Sequence, residues 1–251
     1  MGSLIIEEAG KDPTHFTLAG GIEHAGHPQV GQPLAAASKI RVSTDLKALL
    51  PHADLLIEFT TPEASLEHAR LAADAKVAMI IGTTGFTEEQ FSQLRDSSRR
   101  IPIFWSPNMS TGVLILRRLI GEIAVLLQKL ELSEHTEVKI SETHHIKKKD
   151  KPSGTAKQLA EDLRRFLFLE IKDGDIESKR EDDVVGLHSV VFQCGSERIK
   201  LEHEAMDRRI FAQGALRVAK VFRKFAQTPR LYEMYDYASA MQQAETLKRG
   251  A

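Results

Sequence analysis

Short apolar runs and helical periodicities alternate through the first 108 residues. Phe16 to Ile22, Val77 to Ile81 and Ile101 to Trp105 read as strands, and Leu55 to Phe59 as a short buried one. Helical spacing fills the intervals Pro62 to Ala73 and Thr87 to Arg99. Thr61-Pro62 and Phe86-Thr87-Glu88-Glu89 supply helix starts, with a capping residue and either Pro or acids in the first turn. Strands alternating with helices of this length predict a parallel sheet built from βαβ units.

The pattern then changes. Thr111 to Leu130 is a long amphipathic helix, Glu137 to Glu142 an alternating strand entering a polar loop, and Thr155 to Phe168 a second helix. Val184 to Phe192 and Arg198 to His203 alternate as strands of an antiparallel or mixed sheet. The charge-rich stretch Ile171 to Asp183 reads as an exposed loop, and Phe211 to Phe225 as helix. Two domains are therefore expected: a dinucleotide-binding α/β domain over 1–108, completed by 213–251, and an inserted α+β domain over 109–212.

Composition adds exclusions. The 251 residues carry a formal net charge of −1, so no basic field points to nucleic acid. Cys194 is the sole cysteine, which rules out an intrachain disulfide and suits a reducing compartment. No apolar stretch approaches the roughly 20 residues of a membrane helix, and Glu7, Glu8 and Lys11 interrupt the first apolar run as no signal peptide would allow. A cytoplasmic protein without membrane contact is expected.

In open parallel sheets ligands bind beyond the carboxyl ends of the strands. Glu23 follows the first expected strand, Thr60-Thr61-Pro62 the second, Gly82-Thr83-Thr84-Gly85-Phe86 the third and Ser106-Pro107-Asn108-Met109 the fourth. Backbone amides in such turns favour phosphates and carboxylates, although each turn taken singly is also an ordinary strand-to-helix connection. An acid in the position of Glu23 bonds ribose hydroxyls in dinucleotide folds, about 20 residues after a glycine loop. Counting back from Glu23 reaches Met1-Gly2, so that loop is not in the sequence given. A solvated acid at a strand end is the bland alternative.

The densest chemistry lies in Glu142-Thr143-His144-His145-Ile146-Lys147-Lys148-Lys149-Asp150-Lys151-Pro152-Ser153-Gly154-Thr155-Ala156. A histidine can give a proton near neutral pH, a nearby lysine can hold an anion, and the amides of Gly154 and Thr155 at a helix start can hold a carboxylate. The alternative is a solvated basic loop running into a capped helix. His144 and His145 make a poor metal pair, because adjacent strand residues face opposite sides.

The run Glu142-Thr143-His144-His145-x-x-Lys148-x-Asp150-x-Pro152-Ser153-Gly154-Thr155-Ala156 resembles the signature of the dihydrodipicolinate (4-hydroxy-tetrahydrodipicolinate) reductase family. Phe59 to Glu63, Gly82 to Phe86, Asn108 to Val113, Val184 to His188, Arg208, Phe211 to Arg217 and Leu231 to Asp236 are similar to its other motifs. The resemblance implies a Rossmann-like dinucleotide-binding domain, here without its first strand and glycine loop, plus an α+β substrate and oligomerisation domain with a mixed sheet. It implies an NADH- or NADPH-dependent reduction of a cyclic dicarboxylate in lysine and diaminopimelate biosynthesis. His144 would give the proton and Lys148 would polarise and hold substrate; His145, Lys148, Gly154, Thr155 and Arg208 would bind it. Thr60, Gly82, Thr83, Thr84, Ser106, Asn108 and Met109, with Glu23, would line the cofactor. A homotetramer without metal is implied. Lys151 departs from the small residue usual there, and the stretch before Ile176 is short. Glu23 would repel a 2′-phosphate and His24 stands where an Arg would favour it, so NADH is expected to serve at least as well as NADPH. The different-class alternative is a relative that binds without catalysing; a dead site would have no reason to keep both His144 and Lys148.

Overall fold

In a computed structural model, describing residues 1–36, 38–168 and 170–249 (side chains only as far as 243), eighteen elements follow one another. The first nine are α1 (Gly2–Gly10), β1 (Gly21–Ile22), β2 (Val42–Ser43), α2 (Leu46–Leu49), β3 (Leu55–Glu58), α3 (Pro62–Ala75), β4 (Ala78–Ile81), α4 (Glu88–Ser98) and β5 (Ile103–Trp105). The rest are α5 (Thr111–Lys129), β6 (Thr136–His144), α6 (Gly154–Leu167), β7 (Ile176–Arg180), β8 (Gly186–Cys194), β9 (Glu197–Ala205), α7 (Arg209–Phe225), β10 (Leu231–Tyr232) and α8 (Met234–Arg249). They divide into two units, Met1–Met109 with Phe211–Ala251, and Ser110–Ile210. The final two residues of the expected 213–251 segment lie outside the described residues. No helix among the described residues is long and apolar enough to cross a membrane.

Unit 1 is an α/β layer structure. Its main sheet runs β10-β5-β4-β3, parallel throughout, and β1 and β2 form a separate parallel pair. Met79, Ile80 and Ile81 are all fully buried, as expected of a strand covered on both faces. The helix starts follow their sequence signals. The Thr61 hydroxyl accepts from the Ala64 amide with Pro62 in the first turn, and Thr87 with Gln90 makes a capping box, each cap contributing about 1 kcal/mol. Ile5 and Ala9 of α1 cluster with Ala212 and Leu216 of α7 and with Ile57 and Phe59. The strand expected over Phe16 to Ile22 is a correction: only Gly21–Ile22 ladders, against Val42–Ser43. Apolar composition marks a burial-competent segment, but a strand also needs a partner backbone.

Unit 2 is a mixed sheet, β7-β6-β8-β9, covered by α5 and α6. Leu116, Ile120 and Ala124 of α5 and Leu159 and Leu163 of α6 pack on Ile140, Val190 and Phe192. Each large side chain so buried contributes about 1.5–3 kcal/mol. The bidentate pair between Arg117 and Asp162, at 2.6 and 3.0 Å, ties the two helices. A second correction falls here: Ile171 to Asp183 is not an exposed loop, because Ile176–Arg180 forms β7, parallel to β6. Its sequence, Ile-Glu-Ser-Lys-Arg, is polar because only Ile176 reaches the core.

Candidate active site

Period-two alternation carries the core stripe of unit 2 into a polar one. On β6, Val138 and Ile140 face the core, and the same face continues as Glu142 and His144. Ile140 lies opposite Val190, which lies opposite Leu201; one step on, Glu142 lies opposite His188, which lies opposite His203. One apolar layer thus gives way to a layer of titratable side chains where β6 runs out into residues 145–153.

Glu142 is 1% exposed. His144 Nδ1 bonds its Oε2, and Arg180 Nη1 donates to its Oε1 at 2.9 Å. Burial alone would raise this acid, but the hydrogen bonds from His144 and Arg180 bring it down to about 2. It is therefore ionised at neutral pH. The His188 ring lies 5.0 Å from that of His144, edge to face. Burial, seconded by the neighbouring His144, pushes His188 down to about 3, which keeps it neutral. Burial likewise lowers His203. His188 Nε2 is 3.4 Å from Ser153 Oγ and His203 Nε2 is 3.2 Å from Ser110 Oγ.

Around this layer the structure gathers the cationic candidates. Lys148 Nζ pairs with Asp150 at 2.8 Å. Burial raises the Asp150 carboxyl, but the Lys148 bond more than offsets it, so the net shift is downward. His145 is lowered by desolvation and by the charges of Arg208, His144 and Lys148, so these four groups share one electrostatic neighbourhood. Arg208 is exposed. Ser153 Oγ accepts from the Ala156 amide at 3.2 Å and caps α6, leaving Gly154 and Thr155 at the positive end of a 14-residue helix. A histidine, a lysine and an anion-attracting helix start are groups with which a small dicarboxylate can be bound and protonated. The sequence reading omits Glu142, Arg180, His188 and His203 as site residues. Counting by twos along β6 and β8 would have flagged Glu142 and His188; nothing local marks Arg180.

In unit 1 the strand-end turns are knit by Thr83. Its buried hydroxyl accepts from the Thr60 amide at 3.1 Å and bonds Ser65 Oγ at 2.8 Å, and its carbonyl accepts from Trp105 Nε1 at 3.0 Å. Thr60 and Thr84 are exposed. At Gly82 an added Cβ would lie 2.1 Å from the Phe59 ring, so any other residue there would have to displace that ring. Ser106 Oγ donates to the Asn108 carbonyl at 2.7 Å, and Met109 is buried. Glu23 is half-buried at the end of β1, its amide bonded to the Ser43 carbonyl at 3.0 Å. Exposed hydroxyls, helix-start amides and a strand-end acid are the donor set a dinucleotide's phosphates and ribose require, so the residues fit such a cofactor.

Residues 1–109 match the family model described as dihydrodipicolinate reductase, N-terminus, and residues 112–237 the model described as dihydrodipicolinate reductase, C-terminus. The chain is 36% identical over 256 residues to the 4-hydroxy-tetrahydrodipicolinate reductase of Syntrophobacter fumaroxidans, covering 93% of each. It is 37% identical over 238 residues to that of Oleidesulfovibrio alaskensis, covering 87% of this chain and 88% of the relative. Its fold is similar to a dipicolinate-bound dihydrodipicolinate reductase from Paenisporosarcina sp. TG-14, with a TM-score of 0.69 and 22% identity over 93% of this chain and 94% of that one.

Proposed function

Because the chain belongs to the dihydrodipicolinate reductase family, we propose that it catalyses the NAD(P)H-dependent reduction of 4-hydroxy-tetrahydrodipicolinate to tetrahydrodipicolinate, with loss of water, in lysine and diaminopimelate biosynthesis. The observation that carries this reading is the buried Glu142–His144 pair beside Lys148 and the start of α6.

When bound, the dinucleotide supplies the hydride. In this reading Glu23 bonds the adenosine ribose, while Thr60, Gly82, Thr83, Thr84, Ser106, Asn108 and Met109 form the cofactor-facing turns of unit 1. In unit 2, Gly154 and Thr155 hold one carboxylate through the helix start, and His145, Lys148 and Arg208 hold the remaining charge. Lys148 exchanges its Asp150 partner for substrate, and His144 gives the accompanying proton. Replacing His144 by Gln should lower kcat by about 10²–10⁴ with little change in KM, read from NADH oxidation. A variant as active as wild type would sink the assignment.

The acid at Glu23 disfavours a 2′-phosphate, so NADH should serve at least as well as NADPH. The ratio of kcat/KM for the two cofactors tests this, and a large NADPH preference would refute it. We further infer a cytoplasmic homotetramer assembled through the sheet of unit 2; light scattering of the purified protein tests the assembly.

A further inference from the structure

His144 has two ring nitrogens, and the proton-donor role does not say which one delivers. Its Nδ1 bonds Glu142. An ionised carboxylate can only accept, so the hydrogen of this bond resides on Nδ1. The transferable proton must then be carried by Nε2. That nitrogen faces Gly186, where an added Cβ would come within 3.0 Å.

Arg180 completes the arrangement. Besides its 2.9 Å bond to Glu142, its Nη2 donates to the Asp150 carbonyl and its Nε to the Lys148 carbonyl at 3.4 Å. One planar guanidinium, on a strand parallel to β6, thus touches the acid behind His144 and the backbone of the segment that carries Lys148. A fork of this kind fixes directions that a flexible ammonium cannot.

We propose that Glu142 and Arg180 are positioning residues: Glu142 locks His144 with Nδ1 protonated so that the proton leaves from Nε2, and Arg180 holds Glu142 and the Lys148 segment in one register. This rests on the proton-donor reading of His144. In turnover the Nε2–H bond breaks, its proton goes to substrate, and the Nδ1–H stays with Glu142. Solvent restores the Nε2 proton. The pair acts only through His144 and Lys148, so its two members should fail differently.

The test joins spectroscopy with kinetics. In ¹⁵N-histidine spectra of substrate-free wild type, neutral His144 should be the Nδ1–H tautomer; the Nε2–H tautomer would overturn the proposal. In Glu142→Gln the tautomers should mix, and kcat should fall about 100-fold or more while KM stays within about threefold. In Arg180→Lys, KM should rise about tenfold with a smaller loss of kcat. If Glu142→Gln lost stability alone and kept its kcat and tautomer, the positioning role would be refuted. Should that variant not fold, the wild-type tautomer and the Arg180→Lys split between KM and kcat still decide. Wild type with the expected tautomer but no reductase turnover would overturn the functional reading and leave the Glu142 lock standing.

Discussion

Acidification should weaken unit 2 through one buried histidine. His188 is 2% exposed, with burial and the adjacent His144 pushing it down to about 3. In the unfolded chain a histidine titrates near 6.5. The folded pKa is depressed, so the contribution is fully present above 6.5 and is lost as pH falls towards 3. Between those values the unfolded chain binds a proton that the folded unit refuses. Each pH unit in this window is worth about 1.4 kcal/mol, so moving from pH 7 to pH 5 should remove about 2 kcal/mol. Glu142, held at about 2, does not contribute until lower pH, whereas His203, also lowered, acts in the same direction. Comparison with His188→Gln isolates the effect, because the amide cannot titrate. Amide hydrogen exchange in β6 and β8 reports the opening of unit 2 itself. The variant should lose about 2 kcal/mol less than wild type between pH 7 and pH 5. Equal losses in the two proteins would refute the placement of a neutral, desolvated imidazole at this point in the sheet.

The remaining predictions concern both units. His68, raised chiefly by its 2.6 Å bond to buried Glu58, has the opposite sign: its stabilisation is present below 6.5 and is lost as pH rises through the folded value. Melts of unit 1 followed by Trp105 fluorescence should therefore weaken from pH 6 to pH 8, and His68→Gln should flatten that slope. An added Cβ at Gly214 would sit 1.7 Å from the Met109 carbonyl oxygen. Backbone cannot yield as a side chain does, so Gly214→Ala should cost unit 1 about 3 kcal/mol, seen as a lowered Trp105 melting temperature. Truncating Arg117 to Ala removes both of its bonds to the buried Asp162 carboxylate and should cost about 1.5–3 kcal/mol, read from the urea midpoint. Replacing both partners by Met and Leu should recover most of it, and no recovery would show that the pair is more than an ion pair.

By itself the sequence determined the alternation of strand and helix in unit 1, the caps at Thr61 and Thr87, and the crowding of histidine and lysine into the segment from His144 to Thr155. These are legible because capping, turn residues and periodicity act within a few positions of the chain. Tertiary structure decided what local signals cannot carry. The run from Phe16 yields only two laddered residues, because a strand exists only where another backbone meets it. Ile176–Arg180 is a strand despite its charges, because β6 supplies its partner. That pairing puts Arg180 on Glu142, 38 residues away, and the register of β8 and β9 stacks His188 and His203 beside it. His144 and Lys148 could be read from a motif. The carboxylate partner of His144, Glu142, sits two residues back on the same strand, but Arg180 and His188 come from β7 and β8, and only the pairing of those strands with β6 brings them beside it.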